Sequence, residues 1–144
     1  MERLYRLKFI LDASVAIRWY VEETKHPNAN IILDKLVDKP ELFAIPELFT
    51  YEILSVLYRL QPEAQEIYSK DINRILHSGI LRYPMTENIY TKADRFIKMG
   101  LIGYDAVYVA LAEELDGVWL TFDAKAHKKI VAENLSINLF ETSI

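Results

Sequence analysis

The 144-residue chain contains no cysteine. That absence excludes disulfides, thiol nucleophiles, thiolate zinc sites and iron–sulfur clusters together. Glycine is scarce and confined to Gly79, Gly100, Gly103 and Gly117. None of these builds G-x-x-x-x-G-K-[ST], G-x-G-x-x-G or G-x-S-x-G, so the glycine-dependent phosphate cradles and the nucleophile elbow are missing too. The three histidines, His26, His77 and His127, are far apart, and no H-E-x-x-H occurs. Long apolar runs are also lacking. The longest, Ala106 to Ala112, has seven residues, against the ~18 of a membrane span. Arg3, Arg6 and Lys8 imitate the start of a signal peptide, but Asp12 ends the apolar stretch after Phe9, Ile10 and Leu11. A signal peptide needs an apolar region of ~7–15 residues. A soluble, cytoplasmic protein with no membrane partner is expected.

Hydrophobic residues make up 51% of the chain and aromatics 12%, ample for a packed core. No linker, repeat or low-complexity stretch interrupts it, so residues 1–144 read as a single domain. Lys and Arg total 17 against 21 Asp and Glu, a net charge of −4. That balance argues against simple coating of nucleic acid, which calls for a basic excess. With cysteine, glycine-loop and histidine chemistry removed, any catalysis rests on carboxylates.

Apolar periodicity and turn residues divide the chain into alternating elements. Lys8–Leu11, Leu42–Ile45, Ile80–Tyr83, Val118–Phe122 and Ile137–Phe140 read as strands. Helices are expected over Ala13–Glu22, Pro27–Lys39, Pro46–Leu60, Pro62–Ser78, a segment capped by Thr86 and ended by Gly100, Gly103–Asp116, and Ala124–Asn134. Strands alternating with helices imply an α/β three-layer sandwich, its mainly parallel sheet of about five strands flanked by helices.

Ligands of open parallel sheets sit beyond the carboxyl ends of strands. Asp12 follows the first strand and Asp123 the fourth; each also suits the N-cap of the next helix, and a carboxylate can cap and ligate at once. Glu52 falls beside the stripe Phe49, Ile53, Val56 and Leu60, where burial is costly unless the charge is paired or meets a cation. Its bland alternative is neutralisation by a lysine or arginine. Asp105 opens the most apolar helix, YDAVYVALA, where an acid in the first turn is also favourable on its own. Four such carboxylates converging on one crevice repel one another. A divalent cation such as Mg²⁺, with its oxygen ligands and retained waters, removes that repulsion and activates water for displacement at phosphorus.

The segments Phe9–Ser14 (FILDAS), PELFTYEILSVL around Glu52, YDAVYVALA around Asp105 and LTFD ending at Asp123 together resemble the PIN domain, in its VapC-like branch of ribonuclease toxins from toxin–antitoxin pairs. The resemblance runs in order through nearly the whole chain. It implies that Asp12, Glu52, Asp105 and Asp123 form the catalytic, metal-binding acid set. Asp12 and Asp105 are then the foremost direct ligands, with one acid left to act through water or as general base. Ser14 and Thr121 match positions that support such a site by hydrogen bonding. The resemblance further implies an RNA substrate, Mg²⁺ or Mn²⁺, a homodimer, and an antitoxin that plugs the acidic groove. PIN domains also serve in RNA processing and decay, so that role stands as the alternative.

RNA must still be drawn to an acidic protein. Arg18 in the first helix, and Lys125, His127, Lys128 and Lys129 after Asp123, offer a basic rim; an ordinary solvated lysine face is the plainer reading. Tyr104, Tyr108 and Trp19 suit base stacking or core packing, while His26 and His77 read as surface residues. Two other enzyme classes place an aspartate after strand one. Haloacid-dehalogenase phosphatases want a second acid where this chain has Ser14, and receiver domains want an acidic cluster and a lone lysine that are missing here. A scaffold that binds RNA or a partner without cutting needs a basic surface elsewhere, and no basic run is visible.

Overall fold

Five short strands pair side by side into one sheet: β1 (Phe9–Leu11), β2 (Phe43–Pro46), β3 (Leu81–Tyr83), β4 (Val118–Thr121) and β5 (Ser136–Asn138). Their order is β3-β2-β1-β4-β5 and every neighbouring pair is parallel. The computed structural model describes residues 8–141; the basic N-terminal residues Arg3 and Arg6 lie outside them. Parallel strands cannot be joined by tight hairpins, so each return crosses over through helix. The helices among the described residues are α1 (Ala13–Ile17), α2 (Pro27–Asp38), α3 (Leu48–Leu60), α4 (Gln65–Leu76), α5 (Glu87–Lys98), α6 (Gly103–Glu114) and α7 (Ala124–Ile130). None is long and apolar enough to cross a membrane.

Side-chain alternation along the strands divides the core in two. Leu11, Phe43, Ile45 and Leu120 pack with Val15, Ile32, Phe49 and Leu57 from α1, α2 and α3. Ile10, Ala44 and Trp119 face the other way, against Ile89, Phe96, Val109 and Ile130 from α5, α6 and α7. The result is the expected three-layer α/β sandwich, with the sheet parallel throughout. Burial on both faces explains why the strands read as continuous apolar runs. Helix α6 is buried as its composition predicts, with Ala106 and every residue from Tyr108 to Ala112 shielded from solvent.

Several boundaries differ from the sequence expectation for physical reasons. The helix expected over Ala13–Glu22 ends at Ile17, because Arg18, Trp19 and Tyr20 tighten into three-residue-spaced backbone bonds. Arg18 then reaches forward to donate to the Thr24 carbonyl at 2.7 Å. Pro46 still belongs to β2, opposite Tyr83, and α3 begins at Leu48. The segment after Pro62 opens with a single 3₁₀ turn before α4. The last helix stops at Ile130, and Asn134 turns the chain in the left-handed region at φ 58°.

Gly117 joins α6 to β4 at a point of close backbone approach. A Cβ there would sit 2.3 Å from the Lys8 carbonyl oxygen, which accepts the Val118 N–H. The obstacle is backbone of the central strand and cannot swing aside. Gly117→Ala is expected to cost about 1–3 kcal/mol, read as a lower urea midpoint with an unchanged slope.

Candidate active site

The chain runs outward from β1 through β2 to β3, then returns to build β4 and β5 on the other side. The strand order therefore reverses between β1 and β4, and open α/β sheets bind their ligands beyond the carboxyl ends at such a reversal. Asp12 and Asp123 stand there, one residue beyond β1 and two beyond β4. Both cap the helix that follows. Asp12 Oδ1 accepts the Ser14 N–H at 3.2 Å, and Asp123 Oδ1 accepts the Ala126 N–H at 3.0 Å.

Asp12 is also tied across the sheet. Its Oδ2 accepts the Thr121 hydroxyl at 2.8 Å, and Thr121 Oγ1 in turn accepts the Asp123 N–H at 3.0 Å. Ser14 Oγ accepts the Phe122 N–H at 3.4 Å. The two hydroxyls thus lace the end of β1 to the end of β4 and hold the two aspartates in register. Thr121 is wholly buried, so Thr121→Val strips a donor from Asp12 and orphans the Asp123 N–H. A loss of about 1–3 kcal/mol is expected, larger at pH 8 than at pH 5 because the ionised Asp12 depends on that donor more.

Glu52 and Asp105 enter from the helices. Glu52 lies half-buried on α3, and its Oε1 accepts the Tyr108 hydroxyl at 2.8 Å. Among the described residues no lysine or arginine pairs with it; a neutral phenol holds it instead. Asp105 sits half-buried in the first turn of α6, whose N-cap Ile102 makes no side-chain cap bond. Among the described residues, no ion pair reaches any of the four acids.

The acids feel one another. Asp12 is pushed up to about 6 from 3.8, chiefly by burial, with Glu52 adding repulsion against the hydrogen bonds from Thr121 and Ser14. Asp105 also rises to about 6, through burial and then through the charges of Asp12 and Asp123; Lys129 pulls weakly the other way. Glu52 is raised by burial, and by Asp105 against the Tyr108 hydrogen bond. All four sequence-selected carboxylates therefore share one electrostatic neighbourhood. Three of them hold their protons more tightly than carboxylates normally do.

The donor set is oxygen alone, which suits a hard cation such as Mg²⁺ or Mn²⁺. No group of three or more His, Asp or Glu side chains among the described residues is arranged to hold an ion directly. The site therefore fits an ion held by one or two carboxylates, with the remaining acids reaching it through water, as Mg²⁺ is commonly bound.

The basic rim is less simple than the sequence suggests. Lys125 and Lys128 are exposed on α7. Arg18 instead lies over aromatic rings, its Cζ 4.2 Å from the Phe122 centroid and 5.1 Å from that of Phe140. His26 is not a plain surface residue. Its Nδ1 accepts the Asn28 N–H to cap α2, and its ring packs edge-on against Phe122 and Phe140. Lys129, bonded through Nζ to the Gly100 carbonyl at 2.9 Å, is the cation that bears on Asp105. Tyr108 is core, Tyr104 is exposed, and Trp19 is half-buried with its Nε1 donating to the Ala29 carbonyl. The tie between Tyr108 and Glu52 escaped the sequence. Its signal was the hydroxyl of a tyrosine in an otherwise apolar helix, which must find a partner when buried.

Three comparisons bear on this arrangement. The PIN domain family model matches residues 9–132. No curated protein sequence matches the chain. Among solved structures, a toxin-antitoxin complex from Klebsiella pneumoniae superposes with TM-score 0.66 at 15% identity, over 94% of this chain and 100% of the other. FitAcB from Neisseria gonorrhoeae gives 0.66 at 16% identity, covering 93% and 99%. PAE2754 from Pyrobaculum aerophilum gives 0.62 at 23% identity, covering 86% and 85%. At these identities the structures attest the fold. The family model covers most of the chain, including all four acids, and the chain belongs to the PIN domain family.

Proposed function

We propose that this PIN domain is a divalent-metal-dependent endoribonuclease that hydrolyses RNA phosphodiester bonds, acting as the toxin of a toxin–antitoxin pair. The observation that carries the reading is a cluster of four mutually repelling carboxylates at the strand-order reversal, reached by no ion pair among the described residues. Such a cluster is costly to keep unless a cation and a phosphate occupy it. A bound Mg²⁺ or Mn²⁺ supplies charge neutralisation and a water of lowered pKa. Asp12 and Asp105 would hold the ion directly, leaving one of the remaining acids, Glu52 or Asp123, to act through water or as general base. Hydrolysis joins the water oxygen to phosphorus, breaks the bond to the leaving ribose oxygen, and passes the water proton to an ionised carboxylate. Ser14 and Thr121 hold Asp12 and Asp123 in place for that exchange. Lys125 and Lys128 meet the RNA backbone on the approach, and Arg18, held by its aromatic neighbours, stiffens the adjoining turn.

A protein partner is supported by exposed apolar side chains at helical spacing on α3: Tyr51, Leu54 and Tyr58. Such a stripe is expensive in water and suits a segment of an antitoxin, in keeping with the toxin-antitoxin complex among the structural neighbours. A second apolar face around Met85, Tyr90, Ile97 and Tyr104 suits a homodimer, which sedimentation velocity would show as one species of twice the chain mass.

The function is tested by incubating purified protein with an end-labelled single-stranded RNA in Mg²⁺, and again in excess EDTA. Internal cleavage only with Mg²⁺ is expected. RNA that stays intact in Mg²⁺ and in Mn²⁺, or equal cleavage in EDTA, would overturn the reading.

A further inference from the structure

The hydroxyl of Tyr108 occupies a position that the four acids alone do not explain. The residue is 1% exposed, in a helix whose other buried positions are alanine, valine and leucine. Its hydroxyl donates to Glu52 Oε1 at 2.8 Å. That bond ties α6 to the carboxylate of Glu52 on α3, across 56 positions of sequence. The ring is fixed as well. It stacks on Trp119 with centroids 6.1 Å apart and planes 16° from parallel. Trp119 Nε1 finds no hydrogen-bond partner among the described residues, and its ring is held by packing against neighbours such as Tyr108.

We propose that Tyr108 is a positioning residue that fixes the carboxylate of Glu52 and reserves its Oε2 for the acid cluster. The inference rests on the nuclease reading above and adds a residue outside the acid set. A carboxylate on a half-buried helix face can rotate about its last torsion with little preference. A donor fixed at Oε1 removes that freedom, so a single oxygen is presented in a defined direction. The phenol suits this task better than a lysine would, because it orients the carboxylate without cancelling the charge that a cation needs. Burial and the nearby Asp12 and Glu52 charges hold the phenol well above its ordinary range, so it remains a donor throughout the working pH.

Tyr108→Phe removes one atom and keeps the stacked ring. The variant is compared with the unaltered protein by the Mn²⁺ concentration that gives half of the maximal thermal shift, and by kcat and KM for single-stranded RNA. A rise in the Mn²⁺ midpoint of at least about tenfold is expected, with kcat lowered and KM for RNA unchanged. The same substitution placed on Glu52→Ala should leave the Mn²⁺ midpoint where Glu52→Ala alone puts it, because the acceptor is gone. An equal change in both backgrounds would show a merely structural hydroxyl and overturn the proposal. So would an unchanged midpoint in the single variant. If Tyr108→Phe does not fold without metal, Trp119→Phe takes its place. It keeps both polar atoms but loosens the stack, and should raise the midpoint by a smaller factor; no rise would again overturn the proposal. Failure of the unaltered protein to cut RNA or bind Mn²⁺ would instead sink the nuclease reading itself, so the two failures are distinguishable.

Discussion

Asp105→Asn is expected to lower RNA cleavage by at least about a hundredfold while melting at the same temperature as the unaltered protein or higher. The amide keeps the shape of the carboxylate and removes its charge. Residues that merely support a metal ligand cost about 10–100-fold when removed, and a ligand itself belongs at or beyond the top of that range. The stability half of the expectation follows from the same geometry. Asp105 is raised to about 6 by burial and by the charges of Asp12 and Asp123, so its ionised form works against folding at neutral pH. Removing that charge relieves the fold as it disables the site. Cleavage retained at the original rate, with Mg²⁺ present, would remove Asp105 from the catalytic set.

The second large effect is on stability against pH and metal. Asp12 and Asp105 are both near 6 in the folded protein against 3.8 for the free side chain. A carboxyl raised on folding contributes stability that is complete below about 3.8 and lost as pH rises through about 6. For fully buried Asp12 the ionised form costs about 3 kcal/mol, at 1.36 kcal/mol per unit. Somewhat under ~1 kcal/mol of that loss falls between pH 5.5 and pH 8 for Asp12, and less for half-buried Asp105, which solvent screens. Metal-free protein is therefore expected to melt on the order of 3–7 °C lower at pH 8 than at pH 5.5. Millimolar Mg²⁺ should narrow that gap, because it binds the ionised cluster and displaces its protons. Thermal melts at both pH values, with EDTA or Mg²⁺, check both signs. A metal-free protein more stable at pH 8, with no response to Mg²⁺, would contradict the proposed electrostatics.

Much of this was readable before any coordinates, for local reasons. Asp12, Thr86 and Asp123 announce helix starts because a short acceptor side chain before a helix satisfies an orphan N–H, and all three do so. The parallel strands were legible because two-sided burial leaves unbroken apolar runs. Their order was not, since nothing local says that β4 lies beside β1 and β3 at the far edge. The misreadings share that cause. His26 looked like a surface residue because Phe122 and Phe140, which its ring meets, lie about a hundred positions away. Arg18 looked like a rim residue for the same reason, and its reach to Thr24 helps to end α1 early. Tyr108 meets Glu52 across 56 positions, so its role emerges only once α3 and α6 are packed. Asp12, Glu52 and Asp105 were recoverable because each breaks an apolar pattern at a place where a charge is expensive, and Asp123 because it follows an apolar strand and caps the next helix.

The most direct measurement is a calorimetric titration of Mn²⁺ into metal-free protein at pH 8, with Asp105→Asn run beside it. Saturable binding that releases protons is expected for the unaltered protein, as the raised carboxyls ionise to receive the ion, with loss of most of that binding in the variant. Absence of binding to the unaltered protein, or equal binding to both, would contradict a cation site built from these four carboxylates.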